Sequence, residues 1–184
     1  MYLCTAFNMK DNIAIIINSL LYILNKIDDR TTDTHQLFKI LYFAERKHLS
    51  LFGKPITDDS YVAMKFGPVP SNAFNIINCC KGDSFLDESI IEASKLISVS
   101  GYKVTATNEA DNEWLSDSEM KCLDASFEDN IELNFKQLTD KSHDSAWDNA
   151  FHYMDKLEIA KAGGADESML SYIASKDELK NIRF

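Results

Sequence analysis

The chain has 184 residues, 45% of them hydrophobic and 26% charged, with a net charge of −10. This is the make-up of one globular domain that buries its own core, and it excludes a disordered or low-complexity chain. No apolar run reaches the roughly 18 residues of a membrane span, because the stretch from Ile13 to Leu24 is broken by Asn18 and Ser19 and flanked by charge.

The opening Met1-Tyr2-Leu3-Cys4 lacks the basic stretch and small-residue cleavage site of a signal peptide, so residues 1–10 read as a short arm on a cytoplasmic protein. Asp11 is placed to cap a first helix whose apolar positions Ile13, Ile16, Ile17, Leu20, Leu21, Leu24 and Ile27 recur every three or four residues. The polar run Asp28 to Asp33 breaks that pattern. In a second helix Leu37, Ile40, Leu41, Ala44 and His48 share one face, Phe38, Tyr42 and Leu49 widen it, and Gly53 and Pro55 lie beyond its end. Such a helix belongs near the centre of the fold.

Tyr61-Val62-Ala63-Met64 is β-prone, and Gly67-Pro68-Val69-Pro70 reads as a fixed extended turn, since its prolines forbid helix and central strand alike. Ser71 then caps a helix to Cys80 that carries Ala73, Phe74, Ile76 and Ile77 inward. Leu86 to Ala93 reads as a further short helix, and Leu96 to Thr105 as a hairpin about Ser100-Gly101. Ser116 and Glu119 form a capping box with Leu115 and Met120 as its staple. Met120, Leu123 and Phe127 face inward from that helix; another starts at Asn134. Ser145 to Leu157 reads as continuous helix carrying Trp147, Phe151 and Met154, ended by Gly163-Gly164. Asp166 caps a last amphipathic segment, and residues 176–184 read as a charged tail that frays. The expected class is α+β: one mostly helical domain over residues 1–184 with a small antiparallel sheet of about three strands.

Charge is unevenly placed. Residues 1–82 hold nine Lys or Arg against seven Asp or Glu, a net +2, while residues 83–184 hold ten against 22, a net −12. An acidic half repels phosphates and anionic headgroups and either attracts a basic protein or serves solubility alone. The element order also matches a winged helix topologically, but the helix from Ser71 to Cys80 has no basic residue before Lys81 with which to read DNA. Nucleic acid and membrane are therefore disfavoured as partners.

Catalytic chemistry finds no starting residue. Glu45 and His48 form an E-x-x-H without the second copy that a carboxylate-bridged site needs, and Asp148 and His152 lack a third ligand. Cys79 and Cys80 have no partner histidine, and with the scattered Cys4 and Cys122 they read as buried free thiols. No phosphate-binding glycine loop, nucleophile elbow or H-E-x-x-H occurs. No catalytic residue, metal ligand or cofactor is assigned.

The distinctive stretch runs from residue 37 to 71. Lys39-Ile40-Leu41-Tyr42-Phe43-Ala44-Glu45-Arg46 with His48-Leu49, Gly53-Lys54-Pro55-Ile56-Thr57 with Asp59, Tyr61-Val62-Ala63, and Gly67-Pro68-Val69-Pro70-Ser71 together resemble the Panacea domain, also called SocA-like. Leu138, His143 and Trp147 resemble that family's later histidine and tryptophan signature, so the likeness spans roughly residues 13–155. Glu45 stands where aspartate is usual and Phe43 where leucine is common. The resemblance implies an antitoxin of a bacterial toxin–antitoxin system, carried by phages or mobile elements. Such a protein neutralises a cognate toxin encoded beside it by direct binding, and the SocA-like case is a proteolysis adaptor that delivers the toxin to a protease.

The residues themselves carry two readings. Leu41, Tyr42 and Ala44 are spaced like core. Phe66-Gly67-Pro68-Val69-Pro70 is either a plain turn leading into a helix or a pre-ordered apolar edge that loses little entropy on binding. His143 and Trp147, four apart, either pack on the core or anchor a partner. The residues expected to meet a partner protein are Phe66, Gly67, Pro68, Val69, Pro70, His143 and Trp147. Two alternatives stay open: a metal-dependent phage or mobile-element enzyme built around His48, His143 or His152, and a DNA-binding autoregulator. Whether the proline segment or the acidic half meets the partner is also open.

Overall fold

A computed structural model describes residues 9–82 and 87–181. It is an α+β domain, 61% helical with a small antiparallel sheet. Helix α1 (Met9–Asn25) and helix α2 (Thr34–Phe52) share the main core. α1 begins before Asp11, which lies in its first turn and is not its cap. The expected stripe is buried from Ile13 through Leu24, whereas its last member, Ile27, lies beyond the end of α1 and is half-buried. α2 is the spine: every residue from Leu37 to Glu45 is buried, as are His48 and Leu49. Asp33 caps it by accepting the Gln36 N–H, and Gly53, in the left-handed region at φ 64°, closes it by donating to the Leu49 carbonyl.

Helix α5 (Asp117–Asn130) lies along α2 and carries the expected Ser116/Glu119 capping box, with Leu123 and Cys122 in the core and Met120 and Phe127 half-buried against it. The main core joins α1, α2, helix α3 (Ser71–Cys80), helix α4 (Glu88–Ser94) and α5. A second core forms where Tyr42, Phe43 and Leu49 on the other side of α2 meet helix α6 (Phe135–Ser142), helix α7 (Ser145–Asp148), helix α8 (Lys156–Ala162) and helix α9 (Glu167–Asn181). A helix apolar on both sides can sit between two such layers.

The three-stranded sheet has the order β1-β5-β4, with β1 (Thr31–Asp33), β4 (Ile97–Ser100) and β5 (Lys103–Ala106) all antiparallel. Its third strand is thus the short Thr31–Asp33 segment and not Tyr61–Met64. The hairpin loop is Gly101-Tyr102, one residue beyond the expected turn. β2 (Tyr61–Met64) and β3 (Gly67–Pro70) form a separate ladder, Val62 opposite Val69. The Gly-Pro-Val-Pro segment is therefore an edge strand where a turn was expected.

Other expectations are corrected. Ser71 is the first residue of α3; the cap is supplied from a distance by the Asp59 carboxylate, which accepts the N–H groups of Asn72 and Ala73. Phe74 is exposed where an inward side chain was expected. Ser145 to Leu157 is not one helix: α7 ends at Asp148, and residues 149–155 run as loop until α8 begins, with Phe151 fully in solvent. Tyr153 bridges to Val62, so this loop covers the outer edge of β2. α9 continues to Asn181, so 176–181 is helical. Cys79 and Cys80 are half-buried, Cys122 is buried, and all three are free thiols. Leu86, Cys4, residues 1–8 of the expected arm at 1–10 and residues 182–184 lie outside the described residues, while residues 9 and 10 of that arm already belong to α1.

Candidate partner-binding surface

The residues of the distinctive stretch do different jobs, and their hydrogen bonds separate them. Glu45 accepts the N–H groups of Ile56 and Thr57 at 3.0 and 3.1 Å, which ties the loop after α2 to the helix. Complete burial drives its carboxyl up to about 8. His48 bonds the Lys54 carbonyl through Nδ1 at 2.8 Å and the Ser118 hydroxyl through Nε2 at 3.1 Å, with burial holding its pKa low. Both members of the E-x-x-H thus hold chain segments in place. His152 is exposed with its ring edge on Tyr153, and among the described residues no three His, Cys, Asp or Glu side chains are grouped to hold an ion.

Tyr42 and Arg46, one turn apart, both reach the Asp144 carboxylate, Tyr42 Oη donating at 2.8 Å and Arg46 Nη1 at 2.7 Å. The other oxygen of Asp144 caps α7 by accepting from Ala146 and Trp147. The Trp147 indole N–H then donates to the Met64 carbonyl at 3.0 Å, while His143 stacks on the indole with ring centres 3.7 Å apart. His143 and Trp147 are therefore a brace behind the β2–β3 hairpin.

On the other side of the hairpin Lys39, 1% exposed, donates its Nζ to the Pro68 carbonyl at 2.8 Å. Loss of hydration brings its pKa down to about 7. Pro68 and Pro70 have no N–H, and the Ala63 N–H goes to the His152 carbonyl. This leaves the ladder bonds to the Val62–Val69 and Met64–Gly67 pairs and strips the outer edge of β3 of donors. Lys39 supplies the donor that the Pro68 carbonyl needs. Gly67 must be glycine: its φ is +94°, and a Cβ there would sit 2.2 Å from Ser142 Oγ and 2.9 Å from Lys39 Cε.

The tip of the hairpin opens onto a groove of about 680 Å³, lined mainly by apolar side chains. Met64, Phe66, Phe74, Tyr102 and Phe135 are all exposed here, Tyr102 by 81%. Phe66 meets Phe135 edge-on at 5.3 Å, and Phe135 stacks on His35 at 4.1 Å. His35 Nε2 lies 3.3 Å from the Phe66 carbonyl and 3.1 Å from the Thr139 hydroxyl, locking the floor. The β4–β5 turn is pinned against α2, where the Thr34 N–H donates to the Tyr102 carbonyl at 2.8 Å. Three lysines, Lys39, Lys65 and Lys81, share the lining with a single carboxylate, Asp33, already engaged as the α2 cap.

Of the seven residues expected to meet a partner, Phe66, Gly67 and Val69 line this groove; Pro68 and Pro70 are buried in the strand behind it, and His143 and Trp147 buttress it. Met64, Tyr102, Phe135 and His35 were not expected to meet a partner, and Phe74 was expected in the core. Their signal was slight: a lone apolar residue at a hairpin turn (Tyr102) and another in the polar first turn of a capped helix (Phe135).

A family model described as antitoxin SocA-like, Panacea domain, matches residues 37–148, more than half of the chain. No curated protein and no solved structure matches it. The matched span contains the signature side chains that build the brace and the Lys39 seat, together with every lining residue of the groove except Asp33, Thr34 and His35.

Proposed function

The chain belongs to the SocA-like Panacea antitoxin family, and from that membership we propose that it neutralises a toxin encoded beside it by binding the toxin directly. The observation that carries this reading is the exposed aromatic groove at the hairpin, because contiguous exposed apolar surface ringed by polar groups marks protein-binding sites. The groove is built on a frame held by side-chain bonds from Lys39 on α2 and Trp147 on α7, so its walls are ordered before a partner arrives. Phe66 and Val69 make direct contact, Gly67, Pro68 and Pro70 shape the strand, and His143 with Trp147 keep it in place.

The protein acts in the cytoplasm and performs no chemistry on its partner; among the described residues no helix is long and apolar enough to cross a membrane. In the adaptor version of the mechanism a second surface, the acidic half from residue 83 onward, delivers the bound toxin to a protease. The test is co-expression with the product of the neighbouring reading frame. Co-purification of the two proteins is expected, and a shortened half-life of the toxin, lost on deletion of a housekeeping protease, identifies the adaptor version. A neighbour that is harmless, or that this protein neither binds nor rescues, overturns the reading.

A further inference from the structure

The groove's chemistry constrains what enters it more tightly than the words "protein partner" do. Its exposed charged lining is Lys65 and Lys81 against the engaged Asp33, Lys39 being buried and committed to the Pro68 carbonyl, on a chain whose net charge is −10. A cationic, aromatic trough on an acidic molecule complements an apolar segment bearing carboxylates and repels a basic one. The edge of β3 facing away from β2 has no N–H at Pro68 and Pro70 and its Pro68 carbonyl is already taken by Lys39, so a peptide finds no ladder there to join as a strand. Binding must run through side chains. The outer edge of β2 is already covered by residues 152–154, through Ala63 N–H to the His152 carbonyl and Met154 N–H to the Tyr61 carbonyl.

We propose that the groove takes an acidic amphipathic helix of the partner, its apolar face against Phe66, Phe74, Tyr102 and Phe135 and its carboxylates toward Lys65 and Lys81. This rests on the direct-binding reading above and adds the chemistry and the binding mode of the segment recognised. A helix suits the site because its backbone bonds are internally satisfied and it asks nothing of the donor-poor strand.

The test uses the full chain and a phage-displayed library of random 16-residue peptides, with no need of the toxin. Selection on the wild-type protein is expected to enrich sequences with apolar residues at i, i+3, i+4 and i+7 and Asp or Glu between them. Synthetic peptides of that consensus should bind about 30-fold more weakly to Phe66→Asp, in line with loss of a central aromatic anchor, and also more weakly to the double variant Lys65→Glu/Lys81→Glu. All three substituted side chains are exposed, so unchanged melting temperatures are expected and separate lost binding from lost folding. A basic or unpatterned consensus, peptides indifferent to these variants, displacement by a poly-dT oligonucleotide at lower concentration than by the peptide, or self-association of the chain through Phe66 would each overturn the inference. The toxin rescue experiment is independent of the library, so neutralisation that stands while the peptide result fails discards the occupant and not the function.

Discussion

Lys39 Nζ lies 2.8 Å from the carbonyl oxygen of Pro68, joining the buried spine of the protein to the proline strand that follows Phe66. A lysine in that seat is a costly choice, since burial penalises the cation, yet the strand's own prolines create the need for a donor. The contact makes the hairpin a fixed part of the core and not a loop laid over it.

Stability should therefore depend on pH through Lys39. Its pKa falls from 10.5 unfolded to about 7 folded, so between those values the unfolded chain holds the extra proton and stability rises with pH. Lys39→Met keeps a long apolar side chain and removes the titration. Urea unfolding at steps from pH 7 to 10 should show a rise in wild type and a flatter profile in the variant; equal slopes would show that Lys39 is not buried as a titrating group.

Glu45 acts in the opposite sense. Its pKa rises from 4.5 to about 8 on folding, so the folded chain binds the extra proton over that window and this contribution is lost as pH climbs through it. Glu45→Gln retains an acceptor for the Ile56 and Thr57 N–H groups. The expected result is a stability profile flatter than wild type from pH 5 to 7.5, with the two proteins closest near the acid end.

Gly67→Ala should cost roughly 2 kcal/mol or more, because an L-residue is strained at φ +94° and the new methyl meets both Ser142 and Lys39. Denaturant melts measure the loss. Gly101, which has a positive φ but open space around it, serves as the comparison: Gly101→Ala carries backbone strain without the clash and should lose less.

Trp147→Phe removes the indole N–H that holds the Met64 carbonyl while preserving a ring for His143 to stack on. A loss of about 1 kcal/mol is expected, as for one hydrogen bond. Hydrogen exchange should quicken within residues 61–70 and not in α1; uniform quickening would mean that the indole supports the whole fold and not this hairpin.

Periodic features were legible from the chain: the α1 stripe, the many-sided apolar surface of α2 and the Ser116/Glu119 box each announce themselves within a few residues. What was hidden depends on partners far away in sequence. Thr31–Asp33 is only three residues long and becomes a strand because β5 pairs with it some seventy positions later. The α3 cap is Asp59, a residue that nothing nearby marks as a cap. The helix after Ser145 fails because the loop at 149–155 crosses to cover β2, leaving the apolar Phe151 in water. The candidate site was half legible for the same reason. The hairpin stood out through its prolines and glycine, whereas Tyr102 and Phe135 reach it from a sheet turn and a helix start that no local pattern connects.

The most direct measurement is growth of cells expressing the neighbouring reading frame together with wild-type protein or with Phe66→Asp/Phe135→Asp. Both side chains are half exposed, and Asp at position 135 suits the N-terminal turn of α6, so the variant should fold. Full rescue by wild type, with loss of both rescue and co-purification for the folded variant, is the predicted result. A harmless neighbour, no rescue by wild type, or equal rescue by the variant would contradict neutralisation through this groove.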